Sequence, residues 1–282
     1  MKIDRVIFCL NNNPIYSSFW NLYSRVWKEK YDITPTLVFN GTSQELKSLN
    51  LSESHGEILL IPIVESVSIC KRLDWSVTWS LFWGASCFEE DTCMTCGIDQ
   101  LMLTDFFLDH INAVPEDKYV IGFADAYKNY TPQTLGYMYS TDKESPLMKR
   151  SPASYFPSSH HVAKGSLYKQ VYRIEDTWEK EVTKVFSYRH KYHHTNQATF
   201  WGLDECYSSD MIFSHEREDM FHLSDFFYSF WHPSRIDRGG QNTDYDLNKL
   251  RNGEYSEYHS HRPYEHYSTY IDKLIGDLMW NV

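Results

Sequence analysis

The stretch Cys93-Met-Thr-Cys96-Gly97-Ile98-Asp99 closes an apolar run on a single carboxylate. A carboxylate leaving a strand can help hold a divalent cation, or it can cap the helix that follows. Cys93 and Cys96 make a lone CxxC. A zinc site needs a second pair or nearby histidines, so both thiols read as buried structural residues. Farther along, "HSHRPY" sets His259 and His261 beside Arg262. Neutral imidazole is a good ligand for Mn²⁺, and guanidinium makes charge-assisted bonds to phosphate oxygens. "RIDRGG" adds Arg235 and Arg238 ahead of Gly239 and Gly240. That element reads either as a basic lid over phosphates or as solvated surface arginines. "SSHHVAKGS" carries His160, His161 and Lys164 but lacks GxxxxGK spacing, so it is no P-loop. No HExxH occurs, which removes the common metal-hydrolase signature.

These residues need a scaffold, and the pattern supplies one. Arg5 to Leu10 is a short apolar run ending in "NNNP", a strand followed by turn chemistry. Phe19, Leu22, Tyr23, Val26 and Trp27 share one helical face, with Ser17 and Ser18 as candidate caps. "TPTLVFNG" and "GEILLIPI" read as strands, "DWSVTWSLFWGASCF" as a buried helix, and "DTCMTC" as a fourth strand. "LMLTDFFLDHI" reads as a helix and "KYVIGFADAY" as a fifth strand. Later segments give a helix around Thr177 to Phe186 and a last one from Tyr264 to Trp280. Strands alternating with helices predict an α/β fold with a mixed, mainly parallel sheet flanked by helices. In such sheets ligands gather beyond the carboxyl ends of the strands. Asn11, Asp99 and Asp125 stand at such ends, and Lys71 or Arg72 are further candidates for ribose or phosphate by position.

The 282 residues, 42% hydrophobic and 16% aromatic, suit one folded domain with an ample core. A net charge of −11 argues against nucleic acid as the partner. It leaves room for a small phosphorylated ligand held by local basic residues. No apolar run reaches the roughly 18 residues of a membrane helix, and the first segment is too short for a signal peptide. The expectation is a cytoplasmic, non-secreted protein with its six cysteines reduced.

Taken in order, "RVIFCLNNN", "CMTCGIDQLML", "SSHHVAKGS", "FWGLDE" and "HSHRPY" resemble a GT-A-fold glycosyltransferase of the small bacterial, phage or large-virus kind. The resemblance implies a Rossmann-like single domain. Residues 1–126 would bind the nucleotide sugar and 127–282 the acceptor. It also implies a UDP-sugar donor, a glycan hydroxyl acceptor and Mn²⁺ or Mg²⁺ as cofactor. Asp99 matches the second acid of the family's Asp-x-Asp metal motif, while Gly97 stands where the first would be. His259 or His261 would complete the metal shell, and Asn11, Arg72, Gly97 and Arg262 would face the donor. Asp125, His161, Lys164 and Trp201 would line the sugar or acceptor side. Asp204 and Glu205 match the acidic pair of inverting members. A carboxylate within reach can take the proton of the attacking hydroxyl. Asp204 is preferred and Glu205 is the close second, although a helix dipole alone would also favour acids in a first turn.

Two other classes compete. The lone acid at Asp99 would suit a catalytically weak carbohydrate-binding derivative of the same fold. A nucleotidyltransferase would want a Gly-rich phosphate loop near the N-terminus, and "NNNPIY" is not one.

Overall fold

The computed structural model describes residues 1–67, 74–124, 126–127, 139–140, 155–193, 202–224, 234–239 and 243–280. The order is β1 (Arg5–Leu10), α1 (Pro14–Tyr31), β2 (Thr34–Asn40), α2 (Ser43–Ser48), β3 (Glu57–Ile61), α3 (Asp74–Ser86), β4 (Thr92–Thr95) and β5 (Gln100–Met102). Then come α4 (Phe106–Asn112), β6 (Tyr119–Ile121), β7 (Tyr139–Ser140), β8 (His161–Lys164), α5 (Gly165–Tyr172), α6 (Trp178–Ser187) and β9 (Tyr192–His193). The chain ends through α7 (Leu203–Phe213), β10 (Phe221–Leu223), β11 (Arg235–Asp237), α8 (Leu247–Arg251), β12 (Glu257–His259) and α9 (Tyr264–Trp280).

Seven strands form the main sheet in the order β10-β6-β8-β4-β1-β2-β3. Every pairing is parallel except those of β8, which runs antiparallel between β4 and β6. The central strands are buried along nearly their whole length because both faces are covered. Alternation splits their side chains between two cores. Val6, Phe8 and Leu10 pack with the face of α1, α4 and α9. Ile7 and Cys9 pack with α3, α5, α6 and α7. Cys93 and Cys96 are fully buried, one in each core.

Helix α1 starts three residues before Ser17. Pro14 takes the first helical position, where its lacking N–H costs nothing, and the Asn13 side chain accepts from the Ile15 N–H. Ser17 and Ser18 are therefore inside the helix, not at its cap. Its buried face sets Trp20 and Trp27 edge-on to Phe8, with centroids 6.2 and 6.3 Å apart. On the other side α3 lies so close to β2 that a Cβ at Gly84 would meet Val38 Cγ2 at 2.4 Å.

The segment after Asp99 corrects the helix expected over "LMLTDFFLDHI". Residues Gln100–Met102 are a strand, and α4 begins only at Phe106. β5 joins β12 antiparallel, and β12 pairs β11 parallel, in a small second sheet. Asp99 consequently caps no helix. The register sets Asp237 opposite His259 and His259 opposite Gln100. Three distant segments are thus brought to one edge. A third pair, β7 with β9, joins Tyr139–Ser140 to Tyr192–His193. Among the described residues no helix is long and apolar enough to cross a membrane.

Candidate active site

A cleft of about 370 Å³ opens at the carboxyl ends of β1 and β4. It is lined by Asn11, Gly97 and Asp99 from those ends, by Asp204 and Glu205 from the start of α7, and by Arg238, His259 and Arg262 from the small sheet and its exit. The acids hang from one face of the main sheet, since Leu203, Cys206 and Tyr207 lie in the α3 core. The cations hang from the other, since Ile236 and Tyr258 lie in the α1 core. The two groups meet at the sheet edge.

Gly202 precedes α7 at φ 86°, a left-handed conformation that glycine adopts without strain, and brings the helix start to the cleft. Asp204 is 4% exposed. The Ser158 hydroxyl donates to its Oδ2 at 2.5 Å. Burial raises the Asp204 pKa, while bonds from Ser158 and Thr78 oppose the rise. Glu205 is pushed well above the usual carboxylate range, first by burial and then by the adjacent Asp204 charge. The Tyr127 hydroxyl donates to Glu205 at 3.0–3.1 Å. Two adjacent carboxyls with unequal support separate into one that ionises more readily and one that ionises less readily. Asp204, with its hydroxyl donors, is the former. Cys9 also lines the cleft, but burial pushes its pKa up, so it stays a thiol.

Asp99 sits among cations. Its Oδ2 is 3.0 Å from Arg238 Nη1, 3.5 Å from Arg262 Nη1 and 3.5 Å from His259 Nε2. Burial disfavours its charge, but His259 and then Arg238 outweigh burial and hold its pKa low. His259 turns its Nδ1 to Asp237 Oδ2 at 2.9 Å. Burial works against the imidazolium, yet Asp99 and Asp237 together raise its pKa. Behind this pair the buried Arg235 guanidinium lies 3.3 Å from both Asp237 and Glu257 and fixes Asp237 in place.

This donor set does not fit a divalent ion. The Asp99 Oδ2 that a divalent ion would need is already shared by Arg238, Arg262 and His259, so an ion there would have to displace them. A divalent ion on Asp99 would adjoin two guanidinium groups, each repelling it by several kcal/mol on the order given by Coulomb's law at an effective dielectric near 20. His261 points elsewhere, with its Nδ1 3.0 Å from the Tyr258 hydroxyl. Among the described residues no three His, Cys, Asp or Glu side chains gather as a metal site would.

The cleft therefore collects Asn11, Gly97, Asp99, Asp204, Glu205, His259 and Arg262, together with Arg238 of the "RIDRGG" segment. Two other expected residues lie apart. His161 is buried in β8, its Nδ1 3.1 Å from the Tyr119 hydroxyl and its Nε2 2.8 Å from the Pro157 carbonyl. Burial lowers its pKa to about 4. It is a neutral core histidine that pins the loop carrying Ser158. Lys164 pairs in register with Thr92 at the entry of β4, the edge away from the cleft, and bonds Glu116 at 3.1 Å. Asp125, Arg72, Lys71, Trp201 and Gly240 lie outside the described residues. Sequence reasoning passed over Ser158, Tyr127 and Asp237. Only Asp237 had a local signal: Arg235 and Asp237 alternate around the buried Ile236, which puts both on one strand face.

No family model matches the chain, and no curated protein matches it. Solved structures of similar fold include the apo form of the bifunctional glycosyltransferase WbbM, at TM-score 0.49 and 13% identity over 98% of this chain and 49% of that one. The galactosyltransferase LgtC, in complex with donor and acceptor sugar analogs, aligns at TM-score 0.49 and 13% identity over 96% and 95%. The glycosyltransferase GlyE of Streptococcus pneumoniae TIGR4 aligns at TM-score 0.44 and 11% identity over 81% and 47%. The chain spans about half the length of WbbM and of GlyE.

Proposed function

We propose that the chain is a glycosyltransferase that moves a sugar from a nucleotide-sugar donor, UDP-linked, to a hydroxyl of a glycan acceptor. The observation that carries this reading is one cleft holding an ionisable buried carboxylate and a pair of guanidinium groups. Sugar transfer needs both: a base for the attacking hydroxyl and positive charge for the departing diphosphate. Asp204 is the base. Ser158 steadies its ionised form, and burial keeps competing water away. Burial and then the adjacent Asp204 disfavour the Glu205 carboxylate, and Tyr127 bonds it to the cleft wall. Arg238 and Arg262 face the leaving phosphates. In this reading the reaction is a single inverting displacement. Residues 1–126 supply Asn11 to the donor and Asp99 as the partner of the arginines, while the later half supplies the base, the arginines and the acceptor side.

The test is release of free nucleotide from a panel of nucleotide sugars. One donor should be turned over, slowly with water and faster with a glycan acceptor. Binding of a donor without any turnover would favour a carbohydrate-binding derivative, and neither binding nor turnover for any donor would defeat the reading.

A further inference from the structure

We propose that the guanidinium groups of Arg238 and Arg262, and no divalent cation, neutralise the diphosphate in this cleft, with Asp99 as their internal counterion until ligand arrives. The inference rests on the nucleotide-sugar reading above and concerns how that donor is held.

Arg238 is tied down at two points through one nitrogen: its Nη1 donates to Asp99 Oδ2 and to the Ser260 carbonyl, both at 3.0 Å. Arg262 reaches the same carboxylate oxygen at 3.5 Å, and its guanidinium lies 4.8 Å over the Tyr16 ring. Both arginines and Tyr16 line the cleft. A single carboxylate thus stands between two cations that each carry a planar fork of donors. Such an arrangement has spare positive charge for an anion with several oxygens.

Gly97 supplies an independent observation. Its backbone N–H donates to Gln100 Oε1 at 2.9 Å, and a Cβ there would meet that same oxygen at 2.5 Å. A neutral amide, the end of the Gln100 side chain, stands where a side chain at this position would begin. Asp99 is left without an acidic neighbour on its own loop and is bonded to cations instead. Its part is then to hold two arginines in register, so that a diphosphate displaces one carboxylate and inherits both.

The experiment is calorimetric titration of UDP, GDP, CDP and ADP into the full chain, once with EDTA and once with Mn²⁺. At least one diphosphate should bind in EDTA, with Mn²⁺ changing its Kd by less than about threefold, under 1 kcal/mol. Arg238→Gln and Arg262→Gln should each weaken binding in EDTA by about tenfold or more, the effect of one charge-assisted bond. Asp99→Asn should bind at least as tightly as the unaltered chain, because the arginines no longer exchange an internal partner. Binding that appears only with Mn²⁺, or that vanishes in Asp99→Asn, overturns the guanidinium clamp and leaves sugar transfer standing. No binding in either condition overturns both. The comparison of EDTA with Mn²⁺ uses the unaltered chain, so a variant that fails to fold does not blunt it.

Discussion

Replacing Ser158 by alanine removes the hydroxyl that donates to Asp204 Oδ2 at 2.5 Å. A hydrogen bond to a charged group contributes about 1.5–3 kcal/mol. Thr78 continues to support the carboxylate, so the lower end applies, about tenfold in the ionised fraction at a fixed pH. The direction follows from the bond's preference for the charged form. Burial already raises the Asp204 pKa from its ordinary value, and the loss of Ser158 moves it higher still. The acid limb of kcat/KM should shift to higher pH, with nucleotide release down about tenfold on that limb and restored on the plateau. Stability should respond in the same sense. A carboxyl whose pKa is raised on folding contributes its stability at low pH and loses it as pH rises through the folded value. The urea midpoint of Ser158→Ala should therefore fall more at pH 8 than at pH 5. Ser158→Thr, which keeps a hydroxyl, should stay near the unaltered protein. An acid limb that does not move, or a rate reduced equally at every pH, would refute Asp204 as the base.

Further expectations follow from the same geometry. Glu205→Gln should melt higher than the unaltered protein at pH 8 and at a similar temperature at pH 5, because burial and then Asp204 disfavour the Glu205 carboxylate; the opposite sign would contradict this. Asp204→Asn should abolish nucleotide release and keep donor binding, while Glu205→Gln retains part of the rate; full rates in both would dismiss the acidic pair. Gly165→Ala should lose about 1–3 kcal/mol by urea titration, because its Cβ would meet the Phe88 and Ala85 carbonyl oxygens at 2.2 and 2.5 Å; an unchanged midpoint would show that α5 can shift off that turn.

Much of the scaffold was legible in the chain. β1, β2 and the final helix Tyr264–Trp280 lie where the sequence reading expected them. That helix repeats over four turns, and the central strands are buried on both faces, so local pattern decided them. Leu101, Met102 and Leu103 were misread as helix. A short run buried on every side has no period to read, and its partner β12 lies more than 150 residues away. The site shows the same division. Asp99, Asp204 and His259 stood out by type and neighbours. What each does was set by contacts across the chain: Ser158 on Asp204, Arg238 on Asp99, and Asp237 on His259. His161, expected on the sugar or acceptor side, shows the same dependence on distant contacts, since the rings packed around it come from α3 and β6.

The central claim is that one cleft holds both the diphosphate and the reacting sugar. A crystal structure with a bound nucleotide sugar tests it most directly. The expected result places the diphosphate oxygens within hydrogen-bond reach of Arg238 and Arg262 and turns the anomeric carbon toward Asp204. A donor bound outside this cleft, or bound in it with the sugar directed away from Asp204 and Glu205, would contradict the account.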